Sequence, residues 1–270
     1  MGRGFSRIER IGADFLKRKV RLNLGVLFHP FSFRLHPCRS RPRPILVNQS
    51  FQAGIRAARA NVVPALILQA VALALGLSYA LVPAARESFE QLALYKHSIG
   101  IPFAMVSTAI WAGLVPLLLQ RFQRGAQHEP LSRLPFFLIF WALMGAIIDA
   151  FYNWQALVWG DNAQPLTIFI KTACDMFAFT PILMPCVLAT YAWKDGGFRG
   201  EAVREFFRRG WYFQRVVPAL ITGWMVWIPA LCVIYALPLA LQLPIQNVVE
   251  GLWALFLMVL SKPEPQLALK

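Results

Sequence analysis

Long apolar runs separated by short polar connections make up most of this chain from residue 62 onward. A run of about 18 apolar residues or more is long enough to cross a membrane as a helix. The pattern predicts about six such segments, at least four of them complete spans, with prolines that kink several of the helices. Their predicted bounds are residues 62–83, 101–119, 134–157, 166–193, 216–241 and 244–261. The predicted fold class is therefore all-α, a polytopic transmembrane helical bundle.

The first 60 residues have a different character. They hold 13 of the 27 Lys and Arg residues of the chain, against two acidic residues. Such a stretch is typical of the cytoplasmic positive flank of a membrane domain, of an organelle transit sequence or of a nucleic-acid-binding region. No base-reading module accompanies the charge, so we expect no nucleic acid as a partner. The predicted organisation is a basic, Pro- and Arg-rich leader at 1–60, partly disordered or interfacial, a transmembrane domain at 61–262 and a tail at 263–270.

The basic residues also predict the orientation of the spans. With six spans, 24 of the 27 lie on the side of the N-terminus, and the opposite loops hold only Arg86 and Lys96. The positive-inside rule then places both termini in the cytoplasm or the organelle matrix. The expected partners are the lipid bilayer and, at the basic loops, anionic lipid. A homo-oligomer is a further partner that the sequence leaves open.

Composition argues against soluble chemistry. Hydrophobic residues make up 57% of the chain and charged residues 15%, whereas soluble domains have about 25% charged residues. The four Cys and four His residues follow no metal-ligand spacing, and there is no nucleophile–base pair, phosphate loop or redox motif. We therefore expect no enzyme activity, no cofactor and no metal.

Charged residues inside the fourth segment are the strongest candidate chemistry. Lys171 and Asp175 are four residues apart, so on a helix they share a face and can pair. Folding segments three and four about Asp161 places Lys171 level with Phe151, between Asp149 and Asn153. The last segment contributes further polar groups to the same half of the membrane. These are Asn247 and Glu250.

Two interpretations of this polar set are equally open. In one, the charges pair and fix the register of two helices. In the other, they line a water-filled vestibule and set its selectivity. Ionisable residues within a membrane mark functional sites by default, because burying a charge in hydrocarbon costs about 2.5–3.5 kcal/mol even on the lenient scale.

Further residues carry a resemblance to a known family. Gly145 and Phe151-Tyr152 lie in the third segment, and Lys171, Asp175 and Pro181 in the fourth. The C-terminal part contains a Trp- and Pro-rich series. It comprises Trp224, Trp227, Pro229, Pro238, Asn247, Trp253 and Leu260-Ser261. In this arrangement residues 141–261 resemble the Mpv/PMP family of small peroxisomal and inner-mitochondrial integral membrane proteins, as a distant, bacterial-type member.

The sequence departs from the family pattern at several points. Asp149 stands where the family has a His, Met176 where a Gln is usual and Gln242 where an Arg is usual. The signature Gln after the Trp–Pro pair is absent, and the spacing near the end differs by a few residues. The resemblance implies a channel or pore for small solutes or metabolites, lined by charged residues. The alternative is a non-conducting scaffold or homeostasis protein whose intramembrane charges are helix-packing ion pairs. The implied location is a bacterial cytoplasmic membrane or, alternatively, a mitochondrial inner or peroxisomal membrane.

Overall fold

The part of the chain that the structure describes is almost entirely helical and contains no strands. The computed structural model describes residues 47–122 and 129–260. Most of the predicted leader, the whole predicted tail and Ser261 lie outside this part. The helices are α1 (Val47–Ala60), α2 (Val62–Leu81), α3 (Pro83–Ile99), α4 (Ile101–Gln120), α5 (Leu134–Trp159), α6 (Pro165–Asp195), α7 (Gly200–Phe206), α8 (Tyr212–Tyr235) and α9 (Leu239–Leu260).

The predicted all-α, polytopic helical fold is confirmed. Within the described residues, five helices are long and apolar enough to cross a membrane, namely α2, α4, α5, α6 and α8. The sixth predicted segment forms α9, whose 22 residues include Gln242, Asn247 and Glu250 and which falls outside that group. The connection between the first two predicted segments is itself a helix, α3, which the apolar pattern did not predict.

Three helices contain a short π-helical segment that ends two residues before a proline. The segments are Ala109–Leu114, Asp175–Phe179 and Tyr212–Val216, followed by Pro116, Pro181 and Pro218. Proline has no N–H, and its ring collides with the carbonyl group four residues earlier. A wider π turn moves that carbonyl aside, and it leaves carbonyl groups free to bind other partners.

The chain divides into two compact units. In its described part, unit one consists of residues 47–62 and 182–223. Its small core joins Ala57 of α1 and Ala219 of α8, with Met184 and Leu188 packed against them. Gly54 allows α1 to approach Ile221 closely, since an added Cβ atom would lie 2.8 Å from the Ile221 side chain.

In its described part, unit two consists of residues 63–122, 129–181 and 224–260, and it contains the predicted polar residues. Its α4 and α5 run antiparallel, with Gly145 of α5 against Ala104 and Thr108 of α4. α9 packs against α3, α4 and α5 and buries residues on several sides, including Leu241, Leu243 and Val249. A helix that is apolar around most of its surface belongs in the interior of a bundle.

Candidate functional site

Most polar groups of unit two are gathered at one end of the unit, which we call the polar end. It is formed by α3, by the connection 160–164 between α5 and α6, and by the start of α9. The connection and α9 meet because the Asp161 carboxylate accepts a hydrogen bond from the Leu239 backbone N–H at 3.2 Å, and α3 joins them by packing against α9. The opposite end carries Arg121 and Arg133, so charge is distributed unevenly along the unit.

Asp149 pairs with Lys96, a residue that the apolar pattern predicts to lie in a loop. The Lys96 Nζ atom of α3 lies 2.7 Å from the Asp149 Oδ1 atom of α5, and both side chains are less than 10% exposed. The predicted grouping of Asp149 with Lys171 is therefore wrong. Asn153 lies one turn from Asp149, and its amide group donates to the Asp149 backbone carbonyl at 2.7 Å. The Asn153 side chain itself is exposed on the surface of the unit.

Lys171 is the most deeply buried charge of unit two, at 1% exposure, and its ionic partner is Asp161 at 3.8 Å. The ammonium group also lies 5.4 Å from the centre of the Tyr235 ring, within range of a cation–π interaction. Asp161 in turn accepts the Leu239 N–H, and the Gln242 amide lies 3.5 Å from it. An acidic side chain at a helix N-terminus satisfies a free N–H group and suits the helix dipole. Asp161 therefore joins the α5–α6 connection to α9.

Asp175 belongs to a separate cluster, which we call the tyrosine network. The Tyr235 hydroxyl donates to Asp175 Oδ2 at 2.7 Å and accepts from the Gln155 amide at 2.7 Å. The Thr180 hydroxyl donates to the other Asp175 oxygen at 3.1 Å. The predicted pairing of Lys171 with Asp175 is therefore wrong. The Tyr152 ring meets the Tyr235 ring edge-on, and its hydroxyl donates to Gln246 of α9.

The two wrong pairings have one geometric cause. The predicted hairpin placed Lys171 opposite Phe151, whereas Phe179 is the residue that stacks on Phe151, with ring centres 3.8 Å apart. Residues 160–164 are not helical. An extended residue advances the chain by about 3.3 Å, against 1.5 Å in a helix, so this connection carries the start of α6 away from the expected level. Lys171 consequently lies near the connection and Asp161.

Asn247 and Gly145 lie at the same contact, where α4, α5 and α9 meet. The Asn247 amide of α9 donates to the Ser107 hydroxyl at 3.1 Å, and its carbonyl oxygen accepts from the Thr108 hydroxyl at 3.1 Å. Thr108 is also the residue that fills the space beside Gly145. These contacts join α4, α5 and α9 in the interior of the unit. Glu250, one turn further along α9, is partly buried and makes no hydrogen bond or ion pair with the described part of the chain.

The remaining residues of the family motif occupy varied environments. The Trp224 indole N–H donates at 2.8 Å to the backbone carbonyl of Met176, within the π segment that precedes Pro181. Trp253 is buried in α9, and Trp227 is partly buried in α8. Pro229 is exposed inside α8, and Pro238 is exposed immediately before α9. Among the described residues, no group of three or more His, Cys, Asp or Glu side chains is placed to hold a metal ion.

Several functional residues were missed at the sequence level, although the signal was present. Lys96 continues the inner stripe of α3 formed by Ala85, Phe89, Leu92 and Ala93, which recur at helical spacing. A lysine at such a position indicates a buried charge. Gln155 similarly lies on the face of α5 that holds the other buried polar residues. Asp161, Tyr235, Gln242 and Gln246 carry no comparable local signal, because their partners come from other helices.

Two known proteins are similar to part of this chain. Protein SYM1 of Gibberella zeae is 30% identical over 98 residues, which is 36% of this chain and 50% of that protein. Protein SYM1 of Eremothecium gossypii is 28% identical over 138 residues, which is 49% of this chain and 72% of that protein. The chain thus spans half the length of the first relative. No family model and no solved structure matches the chain.

Proposed function

We propose that this integral membrane protein is a channel for small solutes or metabolites, with its polar path in unit two. One observation carries the proposal. Lys96, Asp149, Lys171 and Asp175 are all buried, and the last three lie in helices that are long and apolar enough to cross a membrane. Ionisable groups in such surroundings are costly to maintain and usually mark an ion or substrate path.

The ion pairs and hydrogen bonds of these groups indicate whether the proposed path is open or closed. Lys96, Asp149, Lys171 and Asp175 each have a protein partner. We therefore assign this conformation to a closed state, in which charged groups bind one another and not a solute. Carbonyl groups within the π segment before Pro181 add acceptors near the same network, and membrane proteins use such irregular backbone to line cavities.

The same pairing favours a second candidate function. A non-conducting scaffold would also need buried charges that satisfy one another, and the Lys96–Asp149 pair together with Asp161 at the start of α9 fix helix positions as a scaffold requires. Here the charged groups act only in helix packing. The two functions differ in whether water ever reaches the polar groups.

The resemblance to the Mpv/PMP family and the similarity to SYM1 support assignment to that family. The channel role is what the resemblance implies. For location we propose a mitochondrial inner or peroxisomal membrane, with both termini on the matrix or cytoplasmic side. The Arg-rich, acid-poor leader suits an organelle protein. The bacterial cytoplasmic membrane stays a prediction that fractionation of the native organism tests. We propose no catalytic activity.

Anionic lipid is the partner we propose for the basic residues of unit one. Exposed arginines around α7 alternate with aromatic side chains, and an open cleft of about 580 Å³ is lined by Arg199, Gly200, Glu201 and Arg204. Each basic residue near an anionic surface contributes about 1 kcal/mol of attraction. The exposed apolar helix faces are compatible with a homo-oligomer as well as with lipid. Vesicle flotation with and without anionic lipid tests the first proposal.

The experiment that tests the channel is solute flux and single-channel current in liposomes holding the purified protein. We expect wild-type conductance, and a shifted charge selectivity in Lys171→Met, because the variant removes a buried cation beside the path. Arg209→Met is the control, since it removes an exposed cation of unit one, which does not contribute to the proposed path. Well-folded wild-type protein that passes no solute and no current would reject the channel and leave the scaffold.

A further inference from the structure

Helix α3 is bounded at both ends by single residues that interrupt the helical backbone. Val82 is extended, with φ −110° and ψ 107°, and Pro83 follows it. Gly100 has φ 69° and ψ −138°, a conformation open to glycine but strained for other residues. A Cβ atom added at Gly100 would meet no atom within 4 Å. Side-chain contacts cross both bends. The Arg86 guanidinium donates to the Tyr79 and Ala80 backbone carbonyls at 3.2 and 3.3 Å, and the Tyr95 ring meets the Phe103 ring edge-on. The helix is therefore a rod between two sharp bends, with free space around Gly100.

α3 makes few apolar contacts with the rest of unit two. Its inner stripe of Ala85, Phe89, Leu92 and Ala93 is only partly buried, and Lys96 is its one buried residue. The most deeply buried contact of α3 is thus that of the Lys96 ammonium group, which lies 2.7 Å from the Asp149 carboxylate. An ion pair gives little net stability over apolar packing, but it holds a discrete geometry that is lost when the partners separate. Once the two charged groups separate, water solvates and stabilises each of them.

The position of α3 is at the polar end. α3 packs against α9, and its Lys96 binds α5 at the level just above the contact between Gly145 and Thr108. Beneath that level lie the Asn247 amide and its partners Ser107 and Thr108. The outer face of α3 is exposed and mixed in character, with Arg86, Glu87, Glu90 and His97 beside Leu94 and Tyr95. The helix therefore separates buried polar groups from the outside of the unit.

We propose that α3 is a hinged cap over the polar end, latched by the Lys96–Asp149 ion pair and turning on Val82 and Gly100. In the closed state Lys96 neutralises Asp149 and α3 shields the polar groups of α5 and α9. In the open state the pair separates, α3 rotates outward and water reaches Asp149. The effect on solute flow rests on the proposed channel function, whereas the movement of α3 does not.

A distance measurement tests the cap directly. Spin labels attached at Glu90→Cys on α3 and Asn162→Cys on the α5–α6 connection, both exposed positions, report the separation by pulsed electron paramagnetic resonance. The labels go into a background without the native cysteines. We expect one narrow distance distribution with Lys96 present, and a longer, broader distribution in Lys96→Met. The conservative variant Lys96→Arg and the exchange Lys96→Asp with Asp149→Lys should restore the narrow distribution.

A second variant covers the case in which Lys96→Met does not fold because Asp149 stays buried and unpaired. Asp149→Asn leaves no unpaired carboxylate beside α3, and the Lys96 side chain can extend toward water, so this variant should fold and show the same shift. An unchanged distribution in Asp149→Asn would overturn the cap. If the wild type passes solute and the label distances do not change in the variants, the cap is rejected and the channel is kept. A shifted distance without flux keeps the cap and rejects the channel.

Discussion

At the scale of single residues, Gly145 shows how closely the helices of unit two approach one another. A Cβ atom at this position would collide with the Ala104 carbonyl oxygen and lie 2.7 Å from the Thr108 hydroxyl oxygen. A backbone carbonyl moves only if its helix moves. We therefore expect Gly145→Ala to lower the free energy of unfolding by about 1–3 kcal/mol, measured as a lower thermal midpoint in detergent.

The control for this substitution is Gly200→Ala. Gly200 is exposed at the start of α7, and an added Cβ atom there meets nothing within 4 Å. We expect no loss of stability in this control. Equal midpoints for Gly145→Ala and the wild type would contradict the described contact between α4 and α5.

The hydroxyl group of Tyr235 is a second residue-scale case. It is the only link between Asp175 and Gln155 among the described residues, and all three are buried. Tyr235→Phe keeps the ring but leaves a buried carboxylate and a buried amide each short of a partner. A buried unsatisfied group costs about 1–3 kcal/mol, so we expect a clear fall in the thermal midpoint. Tyr95→Phe, at an exposed position with its ring on Phe103, should leave the midpoint unchanged.

At the scale of elements, the π segment before Pro181 has an identifiable partner. Proline cannot donate to the helical ladder, and the Met176 carbonyl accepts the Trp224 indole N–H at 2.8 Å. Pro181→Ala should let this turn of α6 relax toward a regular helix and withdraw that carbonyl. We therefore expect Pro181→Ala and Trp224→Phe to be non-additive in unfolding free energy, with a coupling of about 0.5–3 kcal/mol in a double-mutant cycle.

A parallel cycle provides the comparison. Pro116 also follows a π segment, but in α4, and Trp224 binds Met176 of α6. The Pro116→Ala and Trp224→Phe substitutions should therefore add. Additivity in both cycles would mean that the proline and the tryptophan act independently.

The elements also show what a single sequence can and cannot predict. The apolar runs predicted α2, α4, α5, α6 and α8 to within a few residues at most ends, because hydrophobicity along a span is a local property. The level at which Lys171 meets α5 depends on the five non-helical residues at 160–164, whose direction no local pattern encodes. Asp175 was therefore recognised as a buried polar residue while its partner Tyr235, sixty residues away, was not. The amphipathic α3 was missed because apolar length was the criterion, and α3 is too polar to meet it.

At the scale of the whole molecule, the distribution of basic residues predicts the orientation of the spans. In unit two, Ser98 at the end of α3 and Ser132 just before α5 are exposed and separated by one crossing, α4. In a background without the native cysteines, we expect Ser98→Cys and Ser132→Cys to react with an impermeant thiol reagent from opposite faces of sealed vesicles. By the positive-inside rule, Ser132→Cys should face the side that holds the basic loops. Labelling of both positions from one face would mean that α4 does not cross.

The central place of α9 has a consequence for how the protein is made. Asp161, Tyr152, Ser107 and Thr108 all bond to residues of α9, which a ribosome completes after every other described helix. Until residue 239 and those beyond it are synthesised, the earlier spans hold polar groups whose partners do not yet exist. During that time those groups face lipid, water or the insertion machinery. A chain broken off before α9 would expose the same groups permanently and become a target for membrane quality control.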